Sequence, residues 1–233
     1  MYSFKRRIGY SETDASLHLS YFALVNLFQD AAIFEGQNQS MSIEELYENN
    51  EAWLLGSWQI CINRRPFLNE EVEVSTIPYE FKGFLGYRNF ILKTVTGEVL
   101  AVAYSIWSLI DIESLKPIRV SEEIKARYDV GDKLDMDYKP RRINLLGEGK
   151  EQEKVSIRKG QIDSNKHVNN AEYVNLALEY LEEGKELKEI RVEYKNAAHL
   201  ESTIIPRTYM AANSLQVELS GDEGVYAIVE MSF

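Results

Sequence analysis

The stretch Asp163-Ser164-Asn165-Lys166-His167-Val168-Asn169-Asn170 lies between a segment predicted to be a strand and one predicted to be a helix. On its N-terminal side, residues 155–160 alternate between apolar and polar positions, which predicts a strand. On its C-terminal side, apolar residues recur at helical spacing over residues 171–183, with Asn169 or Asn170 as the predicted N-cap. The stretch therefore places several polar side chains at a strand-to-helix junction.

Capping alone would explain one asparagine, but this turn also carries an aspartate and a histidine. A helix N-terminus offers unpaired N–H groups and the positive end of a dipole, which suit a developing oxyanion. We therefore interpret the turn as a candidate active site, and we expect the N–H groups of Val168–Asn170 to form an oxyanion hole. The alternative for His167, taken without its neighbours, is a structural histidine with satisfied hydrogen bonds.

The same pattern occurs earlier in the chain, at an offset of 149 residues. Asp14 then aligns with Asp163 and His18 with His167, and the following Val25-Asn26-Leu27 aligns with Val174-Asn175-Leu176 without a gap. This self-similarity predicts an internal duplication. The first copy has Ser16, Ser20 and Tyr21 in place of three asparagines, so we expect it to be structural or substrate-binding rather than catalytic.

Each half of the chain continues with segments rich in β-branched and aromatic residues, which predict antiparallel strands. A helix that is apolar around most of its circumference, as residues 171–183 are, should be largely enclosed. The predicted fold is therefore α+β: a double hotdog, with two tandem repeats that each wrap an antiparallel sheet around a long helix. We place an N-terminal hotdog at residues 1–128, a polar linker at 129–150 and a C-terminal hotdog at 151–233.

Composition restricts the partners and the location. The net charge of −11 argues against a nucleic-acid partner, and no apolar run is long enough to predict a membrane span. The N-terminus lacks the apolar core of a signal peptide, so we expect a cytoplasmic protein. The single cysteine, Cys61, excludes an internal disulfide and a cysteine-rich metal site, and we interpret it as an inert thiol.

Several motifs resemble those of the acyl-acyl carrier protein (acyl-ACP) thioesterases of bacteria and plant plastids. The most specific is the Asp163-x-Asn165-x-His167-Val168-Asn169-Asn170 turn, and the resemblance covers nearly the whole chain. First-half segments that share it are Trp53-Leu54-Leu55, Asn63-Arg64-Arg65-Pro66, Val72-Glu73-Val74-Ser75-Thr76, Gly97-Glu98-Val99-Leu100 and Trp107-Ser108-Leu109-Ile110-Asp111. The resemblance implies a double hotdog that hydrolyses the thioester between a fatty acyl chain and acyl carrier protein, with no cofactor and no metal.

Hydrolysis of a thioester requires a nucleophile, a group that takes its proton and donors for the oxyanion. By resemblance, Asp163 is the general base or the direct nucleophile, His167 polarises the water or binds the carbonyl, and Asn165 orients the water. Asn169 and Asn170 are predicted to bind substrate, and Trp53 to line an acyl tunnel. The implied partner is acyl carrier protein loaded with a fatty acyl chain, docked on Arg64-Arg65 or on the Lys139, Arg141 and Arg142 group. A homodimer is left open.

One departure from the family pattern affects the mechanism. The segment Glu193-Tyr194-Lys195-Asn196-Ala197-Ala198 matches the one in which family members place a glutamate three residues after the tyrosine, and here that position is Ala197. Glu201 lies four residues further on and would share its face in a regular strand, but at about 13 Å it would be too far away to replace the missing carboxylate unless the chain turns at Ala198-His199. We therefore expect Asp163 with His167 to carry the reaction without it. Two alternatives are enzymes, an acyl-CoA thioesterase or a hydratase on the same fold. The third, which Ala197 favours, is a non-catalytic acyl-binding or acyl-sensing protein.

Overall fold

The computed structural model describes residues 1–39 and 41–233. The chain divides into two units. The first consists of residues 1–56 and 62–138, and the second of residues 57–61 and 139–233.

The first unit packs a long helix against an antiparallel sheet. Its elements are β1 (Tyr2–Arg7), α1 (Tyr21–Asn38), α2 (Ile43–Glu48), β2 (Glu51–Ile62), β3 (Glu71–Lys82), β4 (Leu85–Thr94), β5 (Val99–Asp111) and α3 (Glu122–Ala126). The strand order is β1-β3-β4-β5-β2, and α1 packs against β1 and β3. Phe28 of α1 meets Phe90 of β4, with ring centroids 5.4 Å apart and both side chains fully buried. Such an aromatic pair contributes about 0.5–1.5 kcal/mol beyond the area that it buries, and it joins the helix to the sheet.

The second unit repeats the arrangement with a shorter helix. Its elements are β6 (Lys150–Glu151), β7 (Val155–Ser156), α4 (Asn170–Leu178), β8 (Glu189–Tyr194), β9 (Thr203–Ala211), β10 (Ser214–Gly221) and β11 (Gly224–Ser232). The strand order is β8-β11-β10-β9-β6, and β7 pairs with β9. Residues 57–61, the part of β2 that belongs to the second unit, pair with β8. Helix α4 packs against β10 and β11. The predicted α+β class and the double hotdog are confirmed.

Local signals in the sequence explain several element boundaries. Helix α2 begins with a complete capping box, in which Ser42 Oγ accepts from the Glu45 N–H at 3.1 Å and the Glu45 carboxylate accepts from the Ser42 N–H at 3.0 Å. The turn between β4 and β5 has Gly97 at φ +98°, a conformation that glycine adopts without strain. Across residues 1–39 and 41–233, no helix is both long and apolar enough to cross a membrane.

Two predictions of elements were too long. The strand predicted over residues 155–160 is limited to Val155–Ser156, because residues 159–161 form a short 3-10 turn instead. The helix predicted over residues 171–183 ends at Leu178. Its continuation would have placed three glutamates at the negative end of the helix dipole, which opposes them.

Residues 139–149 of the second unit form no helix or strand, yet buried polar side chains hold them in place. The Ile143 N–H donates to the Glu193 carboxylate at 3.0 Å, and the Leu146 N–H donates to Gln216 Oε1 at 3.0 Å. Glu193 and Gln216 are both buried. Residues 139–149 are thus ordered by hydrogen bonds from the sheet rather than by their own periodicity.

Candidate active site

The turn from Asp163 to His167 is organised by the aspartate carboxylate. Asp163 Oδ1 accepts the N–H of Asn165 at 2.8 Å and the N–H of His167 at 3.3 Å, and the Asp163 N–H donates to the His167 carbonyl at 2.8 Å. Lys166 has φ +63°, which allows the chain to reverse. Oδ1 therefore has a structural role, while Oδ2 receives no hydrogen bond from any other described residue.

The asparagines that follow begin helix α4. Of the two residues predicted as the N-cap, Asn169 is the one found there, and its Oδ1 accepts the Ala171 N–H at 2.8 Å. The Asn170 carbonyl accepts the hydroxyl of Tyr194 at 2.9 Å. Both asparagines are half-buried, whereas Asn165 is exposed. The turn thus brings Asp163, Asn165 and His167 within five residues of one another, directly before the helix.

The expectation of an oxyanion hole at the helix start is wrong for two of its three N–H groups. The Val168 N–H donates to the Ala198 carbonyl at 2.9 Å, and the Asn169 N–H donates to the Gln161 carbonyl at 2.9 Å. Both donors are therefore committed to backbone acceptors, because Ile162 pairs with Val168 and His167 with His199 before the helix begins.

A third histidine lies against this turn. The rings of His167 and His199 meet edge to face, with centroids 4.8 Å apart and planes at 71°. Burial, reinforced by His199, lowers the pKa of His167, while Asp163 acts in the opposite direction. Sequence reasoning missed His199 as a site residue. The signal for it is that the chain has three histidines, two in the duplicated turns and one here.

The segment that carries Ala197 and Glu201 is not a strand. Strand β8 ends at Tyr194, and the chain reverses at His199–Ser202, where the Ser202 N–H donates to the His199 carbonyl at 3.1 Å. Glu201 has φ +68° in this reversal and is exposed. No strand connects Ala197 to Glu201, so the two residues do not share a strand face, and the chain turns close to the point considered in the sequence.

The two turns share the hydrogen bonds that their aspartates accept, which supports the predicted duplication. In the first half, Asp14 Oδ1 accepts the N–H of Ser16 at 2.9 Å and that of His18 at 3.3 Å. Leu17 has φ +62°, as Lys166 has φ +63°. Ser20 is the N-cap of α1, and its Oγ accepts the Ala23 N–H at 3.1 Å. Both halves therefore fold the same turn around an aspartate.

The halves differ in what approaches the aspartate. In the first half the Arg65 guanidinium forms an ion pair with Asp14, and the Arg65 side chain is 5% exposed. Burial alone would raise the pKa of Asp14, but the hydrogen bonds from Ser16 and Arg65 outweigh it and lower the pKa to about 2. The Leu19 N–H donates to the Pro66 carbonyl as the Val168 N–H donates to that of Ala198. Arg65 and Ala197 therefore occupy equivalent positions, so the second aspartate lacks the cation that neutralises the first.

Trp53 and Cys61, two other residues singled out in the sequence, lie outside this turn. Trp53 packs beside Phe81, with ring centroids 6.1 Å apart, next to a cluster of buried residues in the first unit. Its role in binding substrate stays a prediction. Burial and the nearby Glu189 raise the pKa of Cys61 to about 11, so its thiol is protonated and inert at neutral pH. In the described part of the chain, no group of three metal-ligating side chains is arranged to hold an ion.

Comparisons with known proteins give a consistent result over both halves. The protein-family model for the acyl-ACP thioesterase N-terminal domain matches residues 1–128, and the family model for the C-terminal domain matches residues 146–223. A chloroplastic acyl-[acyl-carrier-protein] hydrolase of Cuphea viscosissima is 27% identical over 214 residues, which are 83% of this chain and 51% of that protein. A palmitoyl-acyl carrier protein thioesterase of Cuphea hookeriana is 28% identical over 71% of this chain and 43% of its own. The chain thus spans about half the length of these curated relatives.

Two solved structures show the same fold. An acyl-ACP thioesterase from Bacteroides thetaiotaomicron has a TM-score of 0.91 at 20% identity and covers 99% of this chain and 96% of its own. A 12:0-ACP thioesterase from Umbellularia californica has a TM-score of 0.83 at 19% identity, over 99% and 96% of the two chains. At these identities the likeness concerns the fold alone.

Proposed function

We propose that this chain, which belongs to the acyl-ACP thioesterase family, hydrolyses the thioester between a fatty acyl chain and acyl carrier protein. The observation that carries the proposal is the contrast between the two aspartate turns. Asp14 is held by Arg65, whereas Asp163 has one carboxylate oxygen left for chemistry beside the half-buried His167. A general base needs such an oxygen within reach of the attacking water.

In the proposed reaction each residue of the turn has a separate role. Asp163 accepts a proton from the water that attacks the carbonyl carbon, the C–S bond breaks, and the proton passes to the leaving thiolate. His167 in its neutral form donates a hydrogen bond to the carbonyl oxygen, and Asn165 orients the water. We assign the chemistry to the C-terminal hotdog (151–233), substrate binding to the N-terminal one (1–128) and the connection to residues 129–150. In this assignment Asn169, Asn170 and Trp53 bind substrate. The cytoplasmic location and the homodimer stay predictions.

The direct test is an assay of the purified chain on acyl-ACP and acyl-CoA substrates with matched acyl groups. Release of both the free thiol and the free fatty acid is measured, and the expected result is a higher kcat/KM for the carrier-protein substrates. A higher kcat/KM for the CoA substrates would favour an acyl-CoA thioesterase instead. Tight binding of acyl-ACP without release of either product would favour an acyl-binding protein, the alternative that Ala197 suggests.

A substitution at Ala197 tests why the second turn is active and the first is not. Ala197→Arg reproduces the arrangement of Arg65 and Asp14, so we expect its guanidinium to pair with the Asp163 carboxylate and make it a weaker base. A weaker base should reduce kcat by about ten- to a hundredfold. The control is Ala197→Met, of similar length but uncharged, which should keep kcat near that of the unaltered protein. Equal losses in both variants would show a steric effect and contradict this explanation.

The docking surface requires a correction. Arg64 binds the carboxylates of Glu70 and Glu98, at 2.8 Å and 2.6 Å, and Arg65 is buried with Asp14, so the Arg64-Arg65 pair is not available as a basic patch. In the second group Lys139 is paired with Glu189, whereas Arg141 and Arg142 are exposed.

A further group of cations borders the active-site turn itself. Arg158, Lys159 and Lys166, which we term the basic rim, are exposed, and none forms an ion pair with another described residue. Gly9, Tyr10 and Leu17 occupy the same positions in the first half, so the charge is specific to the catalytic half. We propose that the basic rim docks the acidic carrier protein. The whole chain has a net charge of −11 and repels an acidic partner, so a local group of cations is needed to attract it.

Charge reversal on the basic rim is expected to separate the two substrate classes. Arg158→Glu with Lys159→Glu should raise KM for acyl-ACP by about tenfold and leave KM for a short acyl-CoA within about twofold, because rim charges act mainly on association. Raising the salt concentration should weaken the effect, since exposed pairs are screened over about 8 Å at physiological ionic strength. The comparison variant is Arg141→Glu with Arg142→Glu. If it alone raises KM for acyl-ACP, the carrier docks there and the basic rim is excluded.

A further inference from the structure

His199 is held in place against the catalytic turn by its backbone. The antiparallel bridge between His167 and His199 aligns the two residues, and the His199 N–H donates to Ser202 Oγ at 3.0 Å. His199 is exposed, whereas His167 is half-buried. The exposed ring therefore contacts the half-buried one edge to face, with 4.8 Å between the ring centroids.

The first half has a phenyl ring at the same position. His18 is bridged to Phe67, and their rings meet at 5.3 Å with planes at 80°. The chain reversal that follows is also the same: Asn69 has φ +69° where Glu201 has φ +68°. Packing on the histidine of the turn thus needs only an aromatic ring, and the catalytic half has an ionisable ring where the first half has an inert one.

The difference matters because a cation beside the turn aspartate removes its basicity. Arg65 does this to Asp14. In the second half, the group able to do the same to Asp163 is His167 itself, if it takes up a proton. The groups that act on His167 are Asp163 in its own turn and His199 in the opposing segment. Tyr173 of α4 accepts the Ala198 N–H at 2.9 Å and, with its pKa raised to about 12, is uncharged at neutral pH. Lys166, next to His167, is exposed.

We infer that His199 is a positioning residue that acts through His167: its ring packs edge to face on the His167 ring and keeps that imidazole neutral. Asp163 then has no cation beside it and can accept the proton of the attacking water. This inference rests on the proposed hydrolysis. The contact with His199 adds to the effect of burial, and both disfavour the charged form of His167.

The test uses two variants: His199→Phe, which copies the first half, and His199→Gln, which is polar but does not ionise. With either variant we expect His167 to titrate at higher pH in NMR spectra of the histidine rings, which are few because the chain has three histidines. The acidic limb of the pH profile of kcat should move in the same direction, since hydrolysis needs neutral His167. The expected loss of kcat is about threefold or more at pH 6, with little change at pH 8.5. KM should stay nearly constant.

The matched control is Phe67→His in the first half, which should leave the pH profile of kcat unchanged. An acidic limb and a His167 titration that do not move in either His199 variant would overturn the inference. So would a loss of kcat in His199→Gln that is absent in His199→Phe, because packing alone would then explain the residue. If the unaltered protein releases no product from acyl-ACP, the proposed hydrolysis fails, and the NMR titration still decides whether His199 acts on His167.

Discussion

Asp163→Asn is expected to reduce kcat by about two to four orders of magnitude, with little change in Tm. The amide oxygen of asparagine can still accept the N–H groups of Asn165 and His167, so the turn should keep its shape. The same side chain has no carboxylate to take a proton from water. The measurement is release of free fatty acid from acyl-ACP at saturating substrate, with Tm followed by circular dichroism.

The duplicated turn supplies a control of the same chemistry. Asp14→Asn changes the equivalent residue in the first half, where the carboxylate pairs with the buried Arg65. We expect it to lower Tm, because a buried guanidinium loses its counter-charge, and to leave kcat within about threefold. A variant at position 163 that keeps more than about a third of kcat would remove Asp163 from the chemistry. It would leave Asp163 with the turn-forming role that Oδ1 already has.

The sequence was sufficient to predict the architecture and the turn. Segments rich in β-branched and aromatic residues predicted the longer strands, and the start of α2 follows from the local capping box Ser42-Ile43-Glu44-Glu45. Gapless self-alignment from Asp14 to Asp163 predicted two equivalent turns, which the hydrogen bonds confirm. These features could be predicted because each depends on residues close together in the chain.

Features that depend on residues far apart could not be predicted in this way. The bridge between His167 and His199 joins two segments of the second unit that become neighbours only on folding. The equivalence of Arg65 and Ala197 has an offset of 132 residues rather than the 149 of the turns, so a gapless alignment misses it. The order of residues 139–149 depends on buried side chains such as Gln216 and Glu193, which lie 70 and 50 residues from their partners.

The first unit contains a buried ion pair that the sequence did not predict. Glu35 of α1 is fully buried and bound to the Arg88 guanidinium of β4, which also donates to Thr76 Oγ1 at 3.2 Å. Their side chains are 0% and 10% exposed. Taking two charges out of water costs several kcal/mol per ion, which their mutual attraction offsets only while both partners are present. The contribution of this pair should therefore become visible when one partner is removed.

Arg88→Met is expected to lower the free energy of unfolding by about 3–5 kcal/mol, because it leaves the Glu35 charge buried without a partner. For a chain of this size each kcal/mol corresponds to about 2–4 °C in Tm. The exposed pair of Arg7 and Glu71, whose side chains are 58% and 54% exposed, provides the matched control, and Arg7→Met should cost less than about 1 kcal/mol. Denaturant titrations of both variants measure the difference.

The double replacement Glu35→Leu with Arg88→Met shows which part of the effect is charge. Two apolar side chains of similar volume remove both desolvation costs, so the double variant should recover most of the stability that Arg88→Met loses. If the double variant is as unstable as the single one, the loss comes from the packing of Arg88 on Tyr128, whose ring centroid lies 5.8 Å from the guanidinium carbon, and the ion-pair explanation is wrong. Recovery would instead show that Arg88→Met is unstable because the Glu35 charge is left without a partner. It would also show that an apolar contact can hold α1 on β4 in place of the ion pair.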